Sequence, residues 1–309
     1  MRKSSQLLIA AIIITSFFTN SAKAQTVVTF LNIPGDAVAL SRSGASVATD
    51  ANSFSFFSNT SAAVFSENDI SAGLSYGQWC PNALNNTIIN FGTNIKITPK
   101  FSISAGYRNF GYNDITTYDS LLGVPDGKIT PKEMSAGIGI AYKITNNLSM
   151  GINANYISSD FIYEKGTAIS FDLSGTYIIK NLNIGISASN IGSKIKYDNN
   201  SYDLPSVIKA GGQYTFKLGE NSLSTNLESD YWINESTISG GIGAEFMYKN
   251  FLALRAGYHL GDEEKTIPSY ASAGLGAKLK HINLNFAYIL ADNNSALNKG
   301  VNISLELFF

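Results

Sequence analysis

Long apolar runs are missing from this sequence after its first 24 residues, and cysteine is nearly absent. No later apolar stretch approaches the roughly 20 residues of a membrane-spanning helix, which excludes a helical membrane protein. Cys80 is the single cysteine, so no intramolecular disulfide can form and a disulfide scaffold is excluded.

Charge is also scarce, and it is balanced. Charged residues make up 15% of the chain, below the roughly 25% of soluble domains, and 22 Lys and Arg face 23 Asp and Glu. Without a basic excess the chain lacks the positive surface that neutralises phosphates, so we expect no nucleic-acid partner. Few charges without long apolar runs favour strands that are apolar on one face only.

Groups typical of catalysis are few. The two histidines, His259 and His281, fall at a predicted strand end and a predicted tight turn, where a Ser-His-Asp triad is not expected. The sequence has no H-E-x-x-H, P-loop or dinucleotide-binding motif. The acidic run 262–264 could offer carboxylate oxygens to calcium, but a solvated loop is the favoured interpretation. We therefore expect no enzymatic activity, no cofactor and no metal site.

Residues 1–24 have the organisation of a secretory signal peptide. A positively charged start and an apolar stretch precede the small-x-small pattern Ala22-Lys23-Ala24. We predict cleavage between Ala24 and Gln25, which removes three positive charges and takes the net charge from −1 to −4. The exported protein would be mildly acidic.

From residue 67 onward, apolar and polar residues alternate along nearly every segment. In the last segment Val301, Ile303 and Leu305 fall on one face, and Asn302 and Ser304 on the other. Each alternating segment has about the 9–11 residues, or slightly more, that a tilted strand needs to cross a bilayer. Fourteen such segments can be delimited: 68–79, 87–98, 101–110, 132–144, 147–158, 167–179, 181–190, 206–217, 222–232, 237–249, 251–260, 269–279, 281–291 and 299–309.

The connections between these segments alternate in length. Joins of one to four residues, such as 99–100 and 145–146, alternate with mostly longer ones, such as 111–131, 159–166 and 191–205. Outer-membrane barrels combine short periplasmic turns with longer extracellular loops. A soluble β-sandwich needs no such alternation, and its inner faces would not be lined with Asn, Ser and Gly. The sequence therefore predicts an all-β fold, a 14-stranded antiparallel transmembrane β-barrel.

The predicted barrel spans residues 67–309, and the segment 25–66 before it has a different pattern. It has two plausible places, a plug in the lumen or a cap at the periplasmic mouth. We favour the plug, because the interior of a fourteen-stranded barrel is wide enough to need filling.

Ionisable residues recur on the face that points into the predicted lumen. Their favoured interpretation is an interior ion-pair network that holds the plug and the barrel register. A polar permeation path is the alternative, if the N-terminal segment leaves a continuous opening. The residues are Lys96, Arg108, Lys143, Asp172, Lys209, Glu228, Asp230, Glu245, Arg255 and Glu306.

Two long predicted extracellular loops carry aromatic and apolar residues. Such residues on a long loop indicate a contact surface for a protein or a hydrophobic ligand, unless the loop folds back over the barrel mouth. Both interpretations stay open. The candidates are Tyr112, Tyr118, Leu121, Leu122 and Val124 in loop 111–131, and Tyr197 and Tyr202 in loop 191–205.

Several stretches resemble the PorV/PorQ family. The segment Asp36–Thr49 is similar to the family's N-terminal signature, and segments 190–196, 204–205 and 210–212 resemble its N-x-G, L-P and G elements. The resemblance implies a FadL-like barrel in the outer membrane of a Gram-negative bacterium, with Bacteroidetes as the expected source. It also implies a component of type IX protein secretion or surface attachment, with secreted cargo or attachment subunits as partners and outer-membrane lipid around the barrel.

We therefore expect a barrel that docks cargo or partner proteins through its extracellular loops. The alternative is a FadL-like transporter of hydrophobic small molecules, which a continuous apolar groove would favour. A porin-like channel is a third possibility, which a tightly plugged lumen would exclude. A PorV-like and a PorQ-like role both stay open.

Overall fold

The computed structural model describes residues 26–83, 86–118, 124–161, 164–198 and 200–309. Fourteen antiparallel strands form a closed barrel, in which the first strand pairs with the last. Within these residues, no helix is both long and apolar enough to cross a membrane.

The chain contains eighteen described strands, of which four lie in two small hairpins outside the barrel. In chain order they are β1 (Ile70–Trp79), β2 (Asn86–Thr98), β3 (Phe101–Gly111), β4 (Ile115–Tyr118), β5 (Pro125–Ile129), β6 (Lys132–Lys143), β7 (Leu148–Phe161), β8 (Glu164–Ile179), β9 (Leu182–Gly192), β10 (Ile195–Tyr197), β11 (Asn200–Tyr202), β12 (Val207–Leu218), β13 (Asn221–Trp232), β14 (Thr237–Tyr248), β15 (Leu252–Leu260), β16 (Tyr270–Lys278), β17 (Ile282–Leu290) and β18 (Val301–Phe308). The hairpins are β4–β5 and β10–β11.

The predicted barrel of fourteen strands is confirmed, and most strand ends agree within two residues. The largest difference is in the predicted loop 159–166, which is mostly strand. Strands β7 and β8 stay paired up to Phe161 and Glu164. The inward Ser159 hydroxyl donates to Glu133 Oε1 at 3.0 Å, and this bond gives the extended wall a contact inside the barrel. The β4–β5 and β10–β11 hairpins in the other two long loops were not predicted.

The two faces of the barrel differ as the alternation predicts. Large apolar side chains such as Leu74, Ile138 and Leu227 are exposed on the outside. Asn, Ser and Gly residues dominate the inner face, and inward polar residues such as Asn90 and Ser102 are fully buried. Burial of polar groups on this face requires partners in the lumen.

The N-terminal segment 26–66 lies inside the barrel. It starts at the long-loop end, where Thr26 bridges to Asp203, and reaches the short-turn end, where Ser66 accepts a hydrogen bond from Lys96. Its only α-helix is α1 (Ala37–Ser41), and three 3-10 helices complete it: Thr29–Asn32, Ser55–Phe57 and Thr60–Phe65.

Local capping explains where α1 lies. The Asp36 side chain accepts a hydrogen bond from the Ala39 N–H at 3.0 Å, as an N-cap does. The helix is followed by Gly44, which adopts φ 83° and donates its N–H to the Ala39 carbonyl at 2.9 Å. A left-handed residue at this place is easiest for glycine, and it turns the chain back across the lumen.

Inward glycines let the segment approach the wall closely. A Cβ atom built on Gly185 would overlap the Val47 carbonyl, and one on Gly92 would overlap the Ser53 carbonyl. Because both neighbours are backbone atoms, they cannot move aside as a flexible side chain can.

We predict that Gly185→Ala destabilises the protein by about 1–3 kcal/mol, since the added methyl group overpacks the lumen. The measurement is thermal unfolding in detergent, followed by heat-modifiable migration on a gel. Gly212→Ala is the matched control, because its Cβ would meet only Asn183 O, at 3.7 Å. Equal melting temperatures for the two variants would contradict the close fit.

Candidate functional site

Carboxylates of the barrel wall bind the backbone of the lumen segment. Glu228 accepts hydrogen bonds from the N–H groups of Ser46 and Val47, at 2.7 and 2.6 Å. Glu306 accepts one from the Ser53 N–H at 2.7 Å. A hydrogen bond from a backbone N–H group to a carboxylate is strong, because the acceptor is charged. These two glutamates therefore fix the path of residues 46–53.

Wall cations bind the carbonyl groups of the same segment. Arg108 donates to the carbonyls of Phe30 and Leu31, at 2.8 and 2.7 Å, and Lys96 donates to that of Ser66 at 2.7 Å. Wall amides and a hydroxyl do the same at intermediate depths, through the bonds Asn90 to Gly35, Asn94 to Ala63, Ser149 to Ser61 and Asn153 to Phe56.

One ion-pair group joins the segment to the wall. Glu245 Oε2 lies 2.7 Å from Nη2 of Arg42 and 2.5 Å from Nε of Arg255. Arg42 also donates to Gln213 at 3.2 Å, and Arg255 to Asn285 at 2.9 Å. Sequence reasoning missed Arg42 as a member of this group; the available signal was a lone arginine inside a signature that otherwise has small and apolar residues.

The other predicted lumen residues form separate groups. Lys209 lies 3.3 Å from Glu228 and 3.8 Å from Asp230, while Lys96 pairs with Asp69 at 3.3 Å. Hence the ten predicted residues are distributed over several local contacts and do not form one continuous network.

Four of the ten make no ion pair among the described residues: Arg108 and Glu306, which bind the backbone of the segment, and Lys143 and Asp172. Lys143 lies over the ring of Phe65, 4.7 Å from its centroid. Asp172 sits at a β-bulge, where it accepts hydrogen bonds from the Asn190 N–H at 2.7 Å and the Asn155 amide at 2.8 Å. Both side chains help to hold local geometry of the wall or the segment.

Apolar side chains close the long-loop end of the lumen. Val28 and Phe30 of the segment pack into a buried cluster with wall and loop residues: Trp79, Ile88, Phe110, Ile157, Ile195, Tyr197, Leu204, Tyr270, Ile289 and Leu297. Loop 191–205 therefore folds back over the mouth. Of its two predicted contact residues, Tyr197 is buried in this seal and Tyr202 packs against it.

The candidates in loop 111–131 are placed differently. Tyr112 is half-buried and donates its hydroxyl to Glu133 Oε2 at 2.8 Å. Tyr118 and Val124, at the tip of the β4–β5 hairpin, are 60% and 50% exposed. The remaining two, Leu121 and Leu122, lie outside the described residues.

Two cavities remain beside the segment. An inner one of about 80 Å³ lies below the seal, and its wall includes Arg108, Asp172, Lys209, Asp230 and His259. A second, of about 410 Å³, lies at the short-turn end and is bordered by the Arg42–Glu245–Arg255 group. Both linings are rich in polar and charged groups.

His259 and Cys80, the residues considered for reactive chemistry, lie in surroundings that do not activate them. His259 stacks on Tyr270 with ring centroids 5.2 Å apart, and burial raises the pKa of the Cys80 thiol to about 11. A thiol with a raised pKa is a poor nucleophile. Across the part of the chain that the structure describes, His, Cys, Asp and Glu form no group of three that could hold a metal ion.

Within the lumen segment, the pKa of Asp36 departs clearly from the ordinary value of an aspartate. Burial raises the pKa of its carboxyl to about 6, with Glu306 adding to the effect and Arg255 and Arg42 opposing it. Between pH 4 and 6 the folded protein holds a proton that the unfolded chain has released. Stability at this site is therefore lost as the pH rises through that window.

We predict that Asp36→Asn removes this pH dependence while the amide oxygen keeps the helix cap. Relative to the variant, the wild-type protein should lose up to about 3 kcal/mol of unfolding free energy as the pH rises from 4 to 7. The measurement is protease protection of the segment 26–66 across this range. If protease protection changed with pH in the same way for both proteins, the result would contradict a raised Asp36 pKa.

Comparisons with known proteins agree with this architecture. The toluene transporter TbuX of Ralstonia pickettii has 13% identity and a TM-score of 0.61, over 91% of this chain and 100% of that chain. The toluene transporter TodX of Pseudomonas putida has 12% identity and a TM-score of 0.63, over 90% and 99%. A FadL homologue of Pseudomonas aeruginosa has 11% identity and a TM-score of 0.53, over 89% and 98%. These likenesses show a FadL-like barrel fold.

A search of curated proteins finds no match. The family model described as type IX secretion system protein PorV, in contrast, matches residues 18–233, which is more than half of the chain. The match includes the signature at Asp36–Thr49 and strands β1 to β13, with Arg108 and Glu228 of the wall, and it ends before Glu245 and Glu306. This protein belongs to the PorV family of type IX secretion system proteins.

Proposed function

We propose that this outer-membrane barrel docks a secreted cargo protein or a surface-attachment subunit of the type IX machinery through the β4–β5 hairpin. The observation that carries the proposal is a sealed mouth with an exposed apolar hairpin tip beside it. Tyr118 and Val124 stay accessible, whereas the apolar residues of loop 191–205 are used in the seal. Exposed apolar residues on a long loop favour a protein contact.

The lumen contributes a structural role in this proposal. Polar wall residues bind the segment 26–66 along its length, and the apolar seal covers it at the long-loop end. The barrel then acts as a mobile anchor in the membrane. Proteins of this family and fold are of a non-enzymatic kind, which agrees with a docking role.

Transport of a hydrophobic small molecule is the competing proposal, because TbuX and TodX are toluene transporters with the same fold. Such a molecule would need an apolar path through the barrel. Below the seal, the inner cavity has a mixed lining, in which aromatic side chains such as Phe54 and Trp232 lie among charged ones such as Arg108. Desolvating the charged groups against an apolar ligand is costly, so these groups favour docking over transport.

We predict that Tyr118→Ser combined with Val124→Ser abolishes partner binding and leaves the barrel folded, since both side chains are exposed. The protein is purified from its native outer membrane in mild detergent, and everything bound is identified by mass spectrometry. Secreted proteins with C-terminal sorting domains, or attachment subunits, should accompany the wild type and be lost from the variant.

The matched control is Glu263→Ser with Glu264→Ser, two exposed residues in the β15–β16 loop on the other side of the barrel mouth. The control should keep the partner, and heat-modifiable migration should be the same for all three proteins. A partner retained by the hairpin variant would remove the hairpin from the proposal. A bound apolar small molecule without any protein would put transport in its place.

A further inference from the structure

Exposed lysines form a ring at the short-turn end of the barrel. Six short turns lie at this end, and five of them carry an exposed lysine in the turn or within two residues of it. The sixth, residues 144–147, has none. The ring consists of Lys100, Lys180, Lys217, Lys249 and Lys280.

Nearby acids neutralise little of this ring. Glu220 lies 4.0 Å from Lys249, and both side chains are well exposed, so water screens the pair. Asp69 instead pairs with the inward Lys96 at 3.3 Å. Glu67, in the same stretch, borders the cavity at this end of the lumen.

The opposite end of the barrel has the opposite charge balance. Its loops contain ten Asp and Glu residues and five lysines, counted over 80–85, 112–131, 193–206, 233–236, 261–269 and 291–300. The two rims therefore present different surfaces to the two leaflets of the membrane.

Two ring lysines occupy backbone conformations that favour glycine. Lys180 has φ 53° and Lys249 has φ 48°, in the left-handed region that L-residues rarely adopt. The β12–β13 turn between them meets the same requirement with Gly219, at φ 67°. Because glycine adopts this conformation without strain, replacing either lysine by glycine removes the positive charge without straining the turn.

Outward aromatic residues place the ring at the level of the lipid headgroups. Tyr142, Tyr177 and Tyr248 are exposed on the outer face at the same end, and Lys249 Nζ lies 5.5 Å from the ring centroid of Tyr248. Tyrosines at the ends of barrel strands mark the membrane interface. A lysine side chain at this level, such as that of Lys249 beside Tyr248, is long enough to reach the headgroups.

We propose that the lysine ring binds the phosphate groups of anionic phospholipids in the periplasmic leaflet. Short turns of such barrels face the periplasm, and each lysine near an anionic surface adds to the attraction. The distribution around the circumference fits a leaflet, because lipids surround the barrel, whereas a soluble acidic partner would contact one side of it. This proposal does not depend on the docking function.

The experiment places the purified protein in vesicles of phosphatidylcholine with about 20% phosphatidylglycerol, which gives the membrane the anionic headgroups that attract basic residues. Electron paramagnetic resonance then compares the immobilised fractions of spin-labelled phosphatidylglycerol and phosphatidylcholine. The wild type should prefer phosphatidylglycerol several-fold, and high salt should remove the preference.

Lys180→Gly with Lys249→Gly should reduce the preference while the melting temperature stays equal or rises, since glycine relieves the left-handed strain. Adding Lys100→Gln, Lys217→Gln and Lys280→Gln should abolish the preference. The matched control is Lys299→Gly, another lysine at positive φ (67°) but at the long-loop end, which should keep it.

Three results would overturn the proposal. The wild type could show no preference for phosphatidylglycerol, the five-residue variant could keep it, or Lys299→Gly could lower it as much as the ring variant does. The combination of lost preference and retained melting temperature separates a headgroup site from a merely structural role of these turns.

Discussion

Every backbone N–H and carbonyl group of the segment inside the barrel needs a hydrogen-bond partner, because the segment crosses the lumen with little regular structure of its own. One five-residue helix and three 3-10 helices satisfy only part of these groups. The wall supplies further partners, through carboxylates such as Glu228 and Glu306, through Arg108, and through a set of Asn and Ser side chains. This requirement determines what the inner face of the barrel contains.

The same requirement ties the segment to the wall at many points. Glycines at Gly92 and Gly185 bring the two backbones together, and the Arg42–Glu245–Arg255 group joins them by ion pairs. Since these contacts act together, displacing the segment would leave many buried polar groups without partners, at a cost of the order of 1–3 kcal/mol for each. A lumen filled in this way favours a function in the extracellular loops over passage of a molecule through the barrel.

The alternation of the sequence was enough to find all fourteen barrel strands, because the face on which a side chain lies depends only on its place in its own strand. Strand ends and loops were less accessible. The extension of β7 and β8 to Phe161 and Glu164 depends on pairing between the two strands, and the β4–β5 hairpin forms inside what looked like a plain loop. Neither follows from the pattern of one segment alone.

The sequence by itself therefore determined the barrel, the inward position of its charged residues and the family. The tertiary structure decided which charges meet, since Arg42 and Glu245 are far apart in the chain and contact only when the barrel closes around the segment. It also separated two loops that look alike in sequence. Tyr197 is buried in the seal and Tyr118 is exposed, because burial depends on what the rest of the chain brings to each loop.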